Sequence, residues 1–136
     1  MVILRRVRQR IRGSEVKTMG DGIMASFSSA SAALECAVAI QQAVADYREE
    51  HADRPLAVHI GLNAGEPIAE EQDLFGTSVD LARRICDHAE PGQILASNVV
   101  RELAEGKGFL FGDIGEVVPK GFEEPVRLYE VSWRVT

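Results

Sequence analysis

The sequence has few of the residues and motifs that mark membrane, secreted or phosphate-loop proteins. It contains two cysteines, and neither Cys36 nor Cys86 lies in a CxxC motif or a Cys/His cluster, as is typical of reduced thiols in a cytoplasmic protein. No apolar run approaches the roughly 20 residues of a membrane span. A Walker loop and a G-x-G-x-x-G motif are both absent, so any bound phosphate would be held by metals, arginine and lysine.

Acidic residues are absent from the first twelve positions, which contain five arginines. The remaining 124 residues carry ten basic and 21 acidic side chains, a charge of −11 that argues against a nucleic-acid surface. The arginine-rich segment could be a mitochondrial presequence or a membrane-surface helix. However, the spacing of Leu4, Val7 and Ile11 predicts an ordinary packed helix with one apolar stripe.

The hydrophobic periodicity predicts an α+β fold in a single domain, residues 1–136. A Gly-Asp-Gly turn predicts a β-hairpin early in the chain. Ser28 or Ser29 can cap the helix after it, and Asn98 a later one. The predicted elements are a helix in 1–12, strands at 15–19 and 23–27, a helix through 34–45, a strand at 56–63 with one buried face, a limb at 67–69, an acidic loop at 70–73, a helix at 77–89, a strand at 93–97, a helix at 98–104, and strands at 109–111 and 126–133.

Two patches of this chain carry candidate chemistry. The first places Lys17 in a strand and Asp21 at the hairpin tip, roughly 13 Å apart along the strand, so the two cannot hold the same few atoms. The second runs from Asp73 in a loop to Arg84 on a helix. Each residue also has a plainer interpretation, because Asp-Gly suits a turn, and lysine, aspartate and arginine are common on solvated surfaces.

Together the two patches resemble the catalytic domain of class III adenylate and guanylate cyclases, from about Gly13 to Trp133. The resemblance implies a ferredoxin-like cyclase fold, with a largely antiparallel sheet and packed helices. It implies that ATP is converted to 3′,5′-cyclic AMP and pyrophosphate at sites between two subunits. One subunit supplies the metal-binding carboxylates, and the other supplies the residues that contact the base and the transition state. The partner is then a second copy of this chain or a complete cyclase domain.

The resemblance also implies a role for each candidate residue. Asp21 would bind a divalent metal, and Lys17 with Asp73 would contact adenine. An ammonium beside a carboxylate complements adenine's ring-nitrogen acceptor and amine donor, whereas guanine reverses that pattern. Lys120 would contact the β and γ phosphates, although such Lys-Gly loops are also common on solvated surfaces.

Arg84 would stabilise charge on the α-phosphate while the ribose 3′-hydroxyl attacks, because a guanidinium offers several donors in one plane. Asp80 departs from the family pattern, which has a ribose-orienting asparagine at this position. A carboxylate there either weakens the site by repelling the triphosphate, or pairs with Arg84 at i, i+4 in a helix that is now structural.

The resemblance places a first strand with a second metal aspartate before the region matched here. The chain would begin within the helix after that strand, so we expect an N-terminally truncated domain without its first central strand. Three explanations stay open: a misassigned start, a truncated gene copy, or a genuine short product. Chemistry with two Mg²⁺ or Mn²⁺ ions needs both carboxylates. Two functions therefore remain open: an adenylate cyclase, or a non-catalytic cyclase-like module that dimerises or binds nucleotide to regulate a partner.

Overall fold

The structure, a computed structural model, describes residues 2–5, 14–19, 22–53, 57–65, 68–70 and 73–134 of the chain. Within these residues it has an α+β fold of nine strands and three helices, as the sequence predicts. None of these helices combines the length and apolarity needed to cross a membrane. The elements are β1 (Val2–Arg5), β2 (Ser14–Met19), β3 (Gly22–Ser26), α1 (Ala30–Glu50), β4 (His59–Leu62), β5 (Ile68–Glu70), β6 (Asp73–Phe75), α2 (Thr77–His88), β7 (Ile94–Ser97), α3 (Asn98–Leu103), β8 (Phe111–Val117) and β9 (Val126–Val131).

Seven of these strands form one sheet in the order β2-β3-β1-β4-β7-β9-β8. Its pairs are antiparallel except β4 with β7, so the prediction of a largely antiparallel sheet is confirmed. The predicted hairpin is present as β2 and β3. Its tip, including Asp21, lies outside the described residues.

The N-terminal segment differs from its prediction. Residues Val2–Arg5 form a strand rather than part of a helix, and this strand fills the central position that the sequence analysis expected to be empty. β1 runs antiparallel to both neighbours, with Arg5 opposite Gly22 of β3 and His59 of β4. An empty position would leave two rows of unpaired backbone N–H and C=O groups inside the sheet. The free energy lost in this way exceeds the stability that one turn of helix would add.

β4 is covered on both faces, although its alternating sequence predicted one buried face. Ile60 and Leu62 are fully buried in the core on the α1 side of the sheet. On the other face, Gly61 lies against the backbone of α2. A Cβ at Gly61 would come within 2.9 Å of the Ala82 carbonyl oxygen and still closer to the backbone nitrogen of Cys86.

α1 forms the other main layer of the core. The Ser29 side chain caps it by accepting a hydrogen bond from the Ala32 N–H at 3.1 Å, as predicted. Buried Gln41 donates from its side-chain amide to the carbonyls of Val58 and Gln93 at 3.0 and 3.2 Å, which ties α1 to the segments before β4 and β7. The principal buried α1 side chains are Leu34, Ala37, Ile40 and Val44.

Two local predictions need correction. Asp73 was expected in an acidic loop, but it begins strand β6 and pairs with Glu70 of β5 in a separate two-stranded hairpin. Asn98 was expected to cap α3, but Ser97 occupies the N-cap position. The Asn98 side chain instead donates a hydrogen bond to Glu102 and accepts one from Arg101. It therefore forms hydrogen bonds within the helix from the first turn of α3.

We predict that Gly61→Ala destabilises the domain, because the added methyl group would overlap backbone atoms of α2 that cannot move independently. The expected loss in unfolding free energy is about 3 kcal/mol, at the upper end of ordinary overpacking. Urea denaturation provides the measurement. Gly112→Ala is the matched strand control, since its Cβ would have the Glu130 carbonyl oxygen as nearest neighbour at 3.9 Å. Equal effects of the two substitutions would contradict the close approach of α2 at Gly61.

Candidate active site

Helix α2 carries two of the predicted site residues, Asp80 and Arg84. Val79, Ala82, Ile85 and Cys86 are buried towards the sheet, which leaves the polar face of the helix outward. Asp80 lies in the first helical turn and is exposed. The N-terminal end of a helix dipole favours a carboxylate there.

Arg84 is paired with Asp87 rather than with Asp80. Its Nη1 lies 3.5 Å from Oδ2 of Asp87, and the two side chains are 37% and 32% exposed. Within the part of the chain that the structure describes, Asp80 takes part in no ion pair. The alternative expectation of an Asp80–Arg84 pair is therefore not what the structure shows.

The strands that carry Lys17 and Asp73 lie close together. Lys17 is in β2, at the edge of the large sheet, and Asp73 begins β6. β6 contacts both β2 and α2. The fold therefore brings the segments carrying Lys17, Asp73 and Arg84 to one side of the molecule, although the two hairpins are separate sheets.

Lys120 lies in the connection between β8 and β9. Val117 and Val126, at the two ends of this connection, pack against a buried cluster that includes Ile85 of α2. Lys120 is exposed in a tight turn, in which Gly121 has a φ of +88° and the Phe122 N–H donates to the Pro119 carbonyl at 3.0 Å.

An ion-pair cluster stiffens this same hairpin. Nη1 of Arg127 lies 2.7 Å from Asp113, and its Nη2 lies 3.4 Å from Glu116. The Gly115 N–H also donates to Asp113 at 2.7 Å across a β-bulge. The Gly115 hydrogen bond, followed by Arg127, holds the pKa of Asp113 below its usual range, so this carboxylate stays ionised at neutral pH.

The described residues do not form a two-metal site. They contain no group of three or more histidine, cysteine, aspartate or glutamate side chains placed to hold a metal ion. β1 has the sequence Val-Ile-Leu-Arg, so the strand at the centre of the sheet brings no carboxylate. Asp21 remains the one predicted metal ligand, and it lies outside the described residues.

Sequence reasoning missed a buried polar chain behind α2. Asn63, just after β4, donates from Nδ2 to the Ser78 carbonyl in the first turn of α2 at 3.0 Å. Its Oδ1 accepts from the Ser97 hydroxyl at 2.7 Å. The available signal was the alternation of Gly61, Asn63 and Gly65, which places small or polar residues on one strand face where apolar ones would be expected.

Two cavities lie away from these residues. One, of about 380 Å³, adjoins the N-terminus of α1 and includes Phe27, Leu62, Val100 and Lys107 in its lining. The other, of about 210 Å³, adjoins the second half of α1 and Trp133. Neither of these two cavities is lined by Asp80 or Arg84.

Comparison with known proteins identifies the family. The family model described as the adenylate and guanylate cyclase catalytic domain matches residues 2–132. A putative adenylate cyclase 3 of Rhizobium meliloti is 38% identical over 123 residues, covering 89% of this chain and 21% of the relative. An adenylate cyclase of Mycosarcoma maydis is 38% identical over 126 residues, covering 74% of this chain and 5% of the relative. The chain thus spans about a fifth of the first relative's length and about a twentieth of the second's.

Solved structures agree with the sequence matches. An adenylate/guanylate cyclase/hydrolase from Silicibacter pomeroyi superposes with a TM-score of 0.77 at 35% identity, covering 88% of this chain and 72% of that one. The adenylyl cyclase CyaB from P. aeruginosa superposes with a TM-score of 0.76 at 26% identity, covering 88% and 71%. The predicted cyclase fold is confirmed, and the chain belongs to the adenylate and guanylate cyclase catalytic domain family.

Proposed function

We propose that this chain is an adenylate cyclase subunit that supplies the base-reading and transition-state half of an active site. The reaction is the conversion of ATP to 3′,5′-cyclic AMP and pyrophosphate. One observation supports the proposal: α2 presents Arg84 outward, and β6, which begins at Asp73, contacts both α2 and the strand that carries Lys17. Lys120 is exposed in the turn between β8 and β9. These are the four residues that the family resemblance assigns to the nucleotide.

The proposed base preference follows from hydrogen-bonding chemistry. Lys17 would donate to a ring nitrogen of adenine, and Asp73 would accept from its exocyclic amine. The contact of β6 with β2 supports this pairing, because it brings the two strand segments together. The relatives from Rhizobium meliloti and Mycosarcoma maydis are named as adenylate cyclases, the first of them as a putative one.

Arg84 is suited to stabilise charge that develops on the α-phosphate. Its present partner is Asp87 at 3.5 Å in an exposed pair, an interaction worth about 0.2–1 kcal/mol. A phosphate oxygen can replace that partner at little cost, since a guanidinium donates several aligned hydrogen bonds. Arg84 therefore does not have to leave a buried ion pair in order to reach a nucleotide.

Binding of the metal ions would require carboxylates from a partner subunit. When bound, two Mg²⁺ or Mn²⁺ ions would activate the attacking 3′-hydroxyl and neutralise the phosphates. This chain offers Asp21 as its one candidate ligand, because β1 brings no carboxylate. Two copies would leave each site with one carboxylate. A heterodimer with a complete cyclase domain would form one full site, with metals held by that domain and Lys17, Asp73, Arg84 and Lys120 supplied by this chain.

A second function has its own supporting observation. A central strand without a carboxylate suits a cyclase-like module that dimerises or binds nucleotide to regulate a partner without catalysis. The two functions differ in a measurable way, because only the first gives cyclic AMP when the chain completes another domain's site.

The first test is complementation. We expect the isolated chain with ATP and Mn²⁺ to turn over far below the usual enzyme range of about 1–10³ s⁻¹. Mixing it with a cyclase domain that keeps both metal aspartates but has lost its own transition-state arginine should raise cyclic AMP production at least about tenfold over either protein alone. Sedimentation of the mixture verifies that a heterodimer forms.

Two outcomes would contradict the proposal. Full turnover by the isolated chain would show that it does not need a second metal-binding half. A heterodimer without cyclic AMP would favour the regulatory module. The matched control is Arg84→Ala in this chain, which should abolish complementation while leaving the heterodimer intact.

The second test concerns Asp80, and we predict that Asp80→Asn raises complemented activity about fivefold. Removing one carboxylate near a triphosphate relieves a repulsion of about 1 kcal/mol at 4 Å in water. Arg84→Ala should lower the rate about 10²–10³-fold, as is typical for loss of one transition-state donor. Urea titration serves as the control, because losing an exposed pair or a first-turn acid alters stability by no more than about 1 kcal/mol. A lower rate in Asp80→Asn would show that the carboxylate assists the reaction.

The third test concerns base selectivity. Lys17→Glu combined with Asp73→Asn presents an acceptor and a donor in place of the original donor and acceptor, the pattern that guanine requires. We expect the ratio of ATP to GTP turnover in the complemented site to fall about tenfold to a hundredfold, because an unmatched buried polar group costs about 1–3 kcal/mol. An unchanged ratio, with heterodimer formation preserved, would show that Lys17 and Asp73 do not contact the base.

A further inference from the structure

One row of β4 and the residues after it forms the surface on which α2 rests. The row consists of Gly61, Asn63 and Gly65, which alternate along the chain and so share a face. At Gly61 the helix backbone replaces a side chain, since a Cβ there would lie 2.6 Å from Cα of Cys86. At Gly65 a Cβ would lie 2.6 Å from Cβ of Ser78. Asn63 stands between these two close approaches.

Asn63 links three elements through one amide. It is 4% exposed, and its Nδ2 donates to the Ser78 carbonyl of α2 at 3.0 Å. Its Oδ1 accepts from the hydroxyl of Ser97, itself 3% exposed at the end of β7, at 2.7 Å. Hydrogen bonds in such a dry environment are costly to leave unmade, so the amide is held at both ends.

The first turn of α2 has few polar restraints of its own. Its N-cap is Gly76, which has no side chain to cap the helix. The backbone N–H groups of Val79 and Asp80 donate to the Gly76 carbonyl at 3.1 and 3.0 Å. The buried Ser78 hydroxyl has no hydrogen-bond partner among the residues that the structure describes. Within the described part of the chain, the amide of Asn63 thus connects this turn to the segment after β4 by a side-chain hydrogen bond.

We propose that Asn63 is a positioning residue for Arg84, a proposal that rests on the function proposed above. By holding the Ser78 carbonyl, Asn63 sets how far α2 slides along the sheet and how it is rotated. Arg84 follows Ser78 by six residues, about 9 Å along a rigid helix. A displacement of the first turn is therefore passed on to the guanidinium, and a misplacement of about 1 Å can cost about a hundredfold in rate.

The test compares two substitutions at Asn63 with two controls. Asn63→Asp keeps the shape and can still accept from Ser97, but an ionised carboxylate cannot donate to the Ser78 carbonyl. Asn63→Leu removes both hydrogen bonds at similar volume. Ser97→Ala leaves the amide's donation to α2 intact. Gln41→Leu removes a different buried amide, whose bonds reach Val58 and Gln93 rather than α2.

The first measurement is amide hydrogen exchange in the isolated chain, with no catalysis required. We expect both Asn63 variants to exchange at least about tenfold faster in α2 relative to α1, reflecting one lost buried hydrogen bond. Gln41→Leu should accelerate α1 at least as much as α2, and Ser97→Ala should affect α2 less than either Asn63 variant. Equal acceleration of α1 and α2 in the Asn63 variants would reduce Asn63 to a general core residue and overturn the proposal.

The second measurement is ATP turnover in the complemented heterodimer. Asn63→Asp should lower kcat about tenfold or more while KM stays within about twofold, because the proposed role of Arg84 is in the transition state. In an Arg84→Ala background, Asn63→Asp should cause little further loss. A full additional loss in that background would show that Asn63 acts elsewhere. If the wild-type mixture makes no cyclic AMP, the proposed function fails, while hydrogen exchange still decides whether Asn63 holds α2.

Discussion

The contact between α2 and β4 at Gly61 is the constraint on which the rest of the arrangement depends. No side chain separates the two backbones there, so the helix is closer to the sheet than ordinary side-chain packing allows. Ile60 and Leu62 fill the opposite side with the α1 core, which makes β4 a two-sided central strand. With its buried face committed in this way, α2 must direct its polar face outward. The packing of α2 against the sheet therefore determines on which side of the helix Arg84 lies.

At the centre of the sheet, the fold requires a strand with paired backbone groups, whereas the reaction requires carboxylates that bind metal. A central strand must pair its backbone groups with both neighbours, and β1 does so with four residues opposite β3 and four opposite β4. Backbone hydrogen bonds between strands depend little on the identity of the side chains, whereas binding of Mg²⁺ requires carboxylates. The segment Val2–Arg5 therefore satisfies the sheet without supplying a metal ligand. A domain of this kind can keep the cyclase fold and still depend on another subunit for its metals.

Local signals predicted the elements whose boundaries are set locally. The Gly-Asp-Gly turn, the Ser29 cap and the 77–89 periodicity all led to elements that the structure contains. The N-terminal strand was missed because Leu4, Val7 and Ile11 fit a helix, and only an open position between β3 and β4 favours a strand there. The second buried face of β4 was missed because glycine and asparagine do not look apolar. The role of Asn63 was missed because its hydrogen-bond partners, Ser78 and Ser97, lie 15 and 34 residues away in the sequence.

Arg84 has two carboxylates within reach along its own helix, Asp80 four residues before it and Asp87 three residues after it. The structure pairs it with Asp87, on the side away from the N-terminal turn. Asp80 is therefore not the ion-pair partner of Arg84, and its effect on a triphosphate in the proposed site would be direct repulsion. Its position in the first turn also gives it a helix-dipole benefit that does not involve Arg84. In the proposed site, the departure from asparagine at this position would therefore weaken nucleotide binding while leaving the role proposed for Arg84 intact.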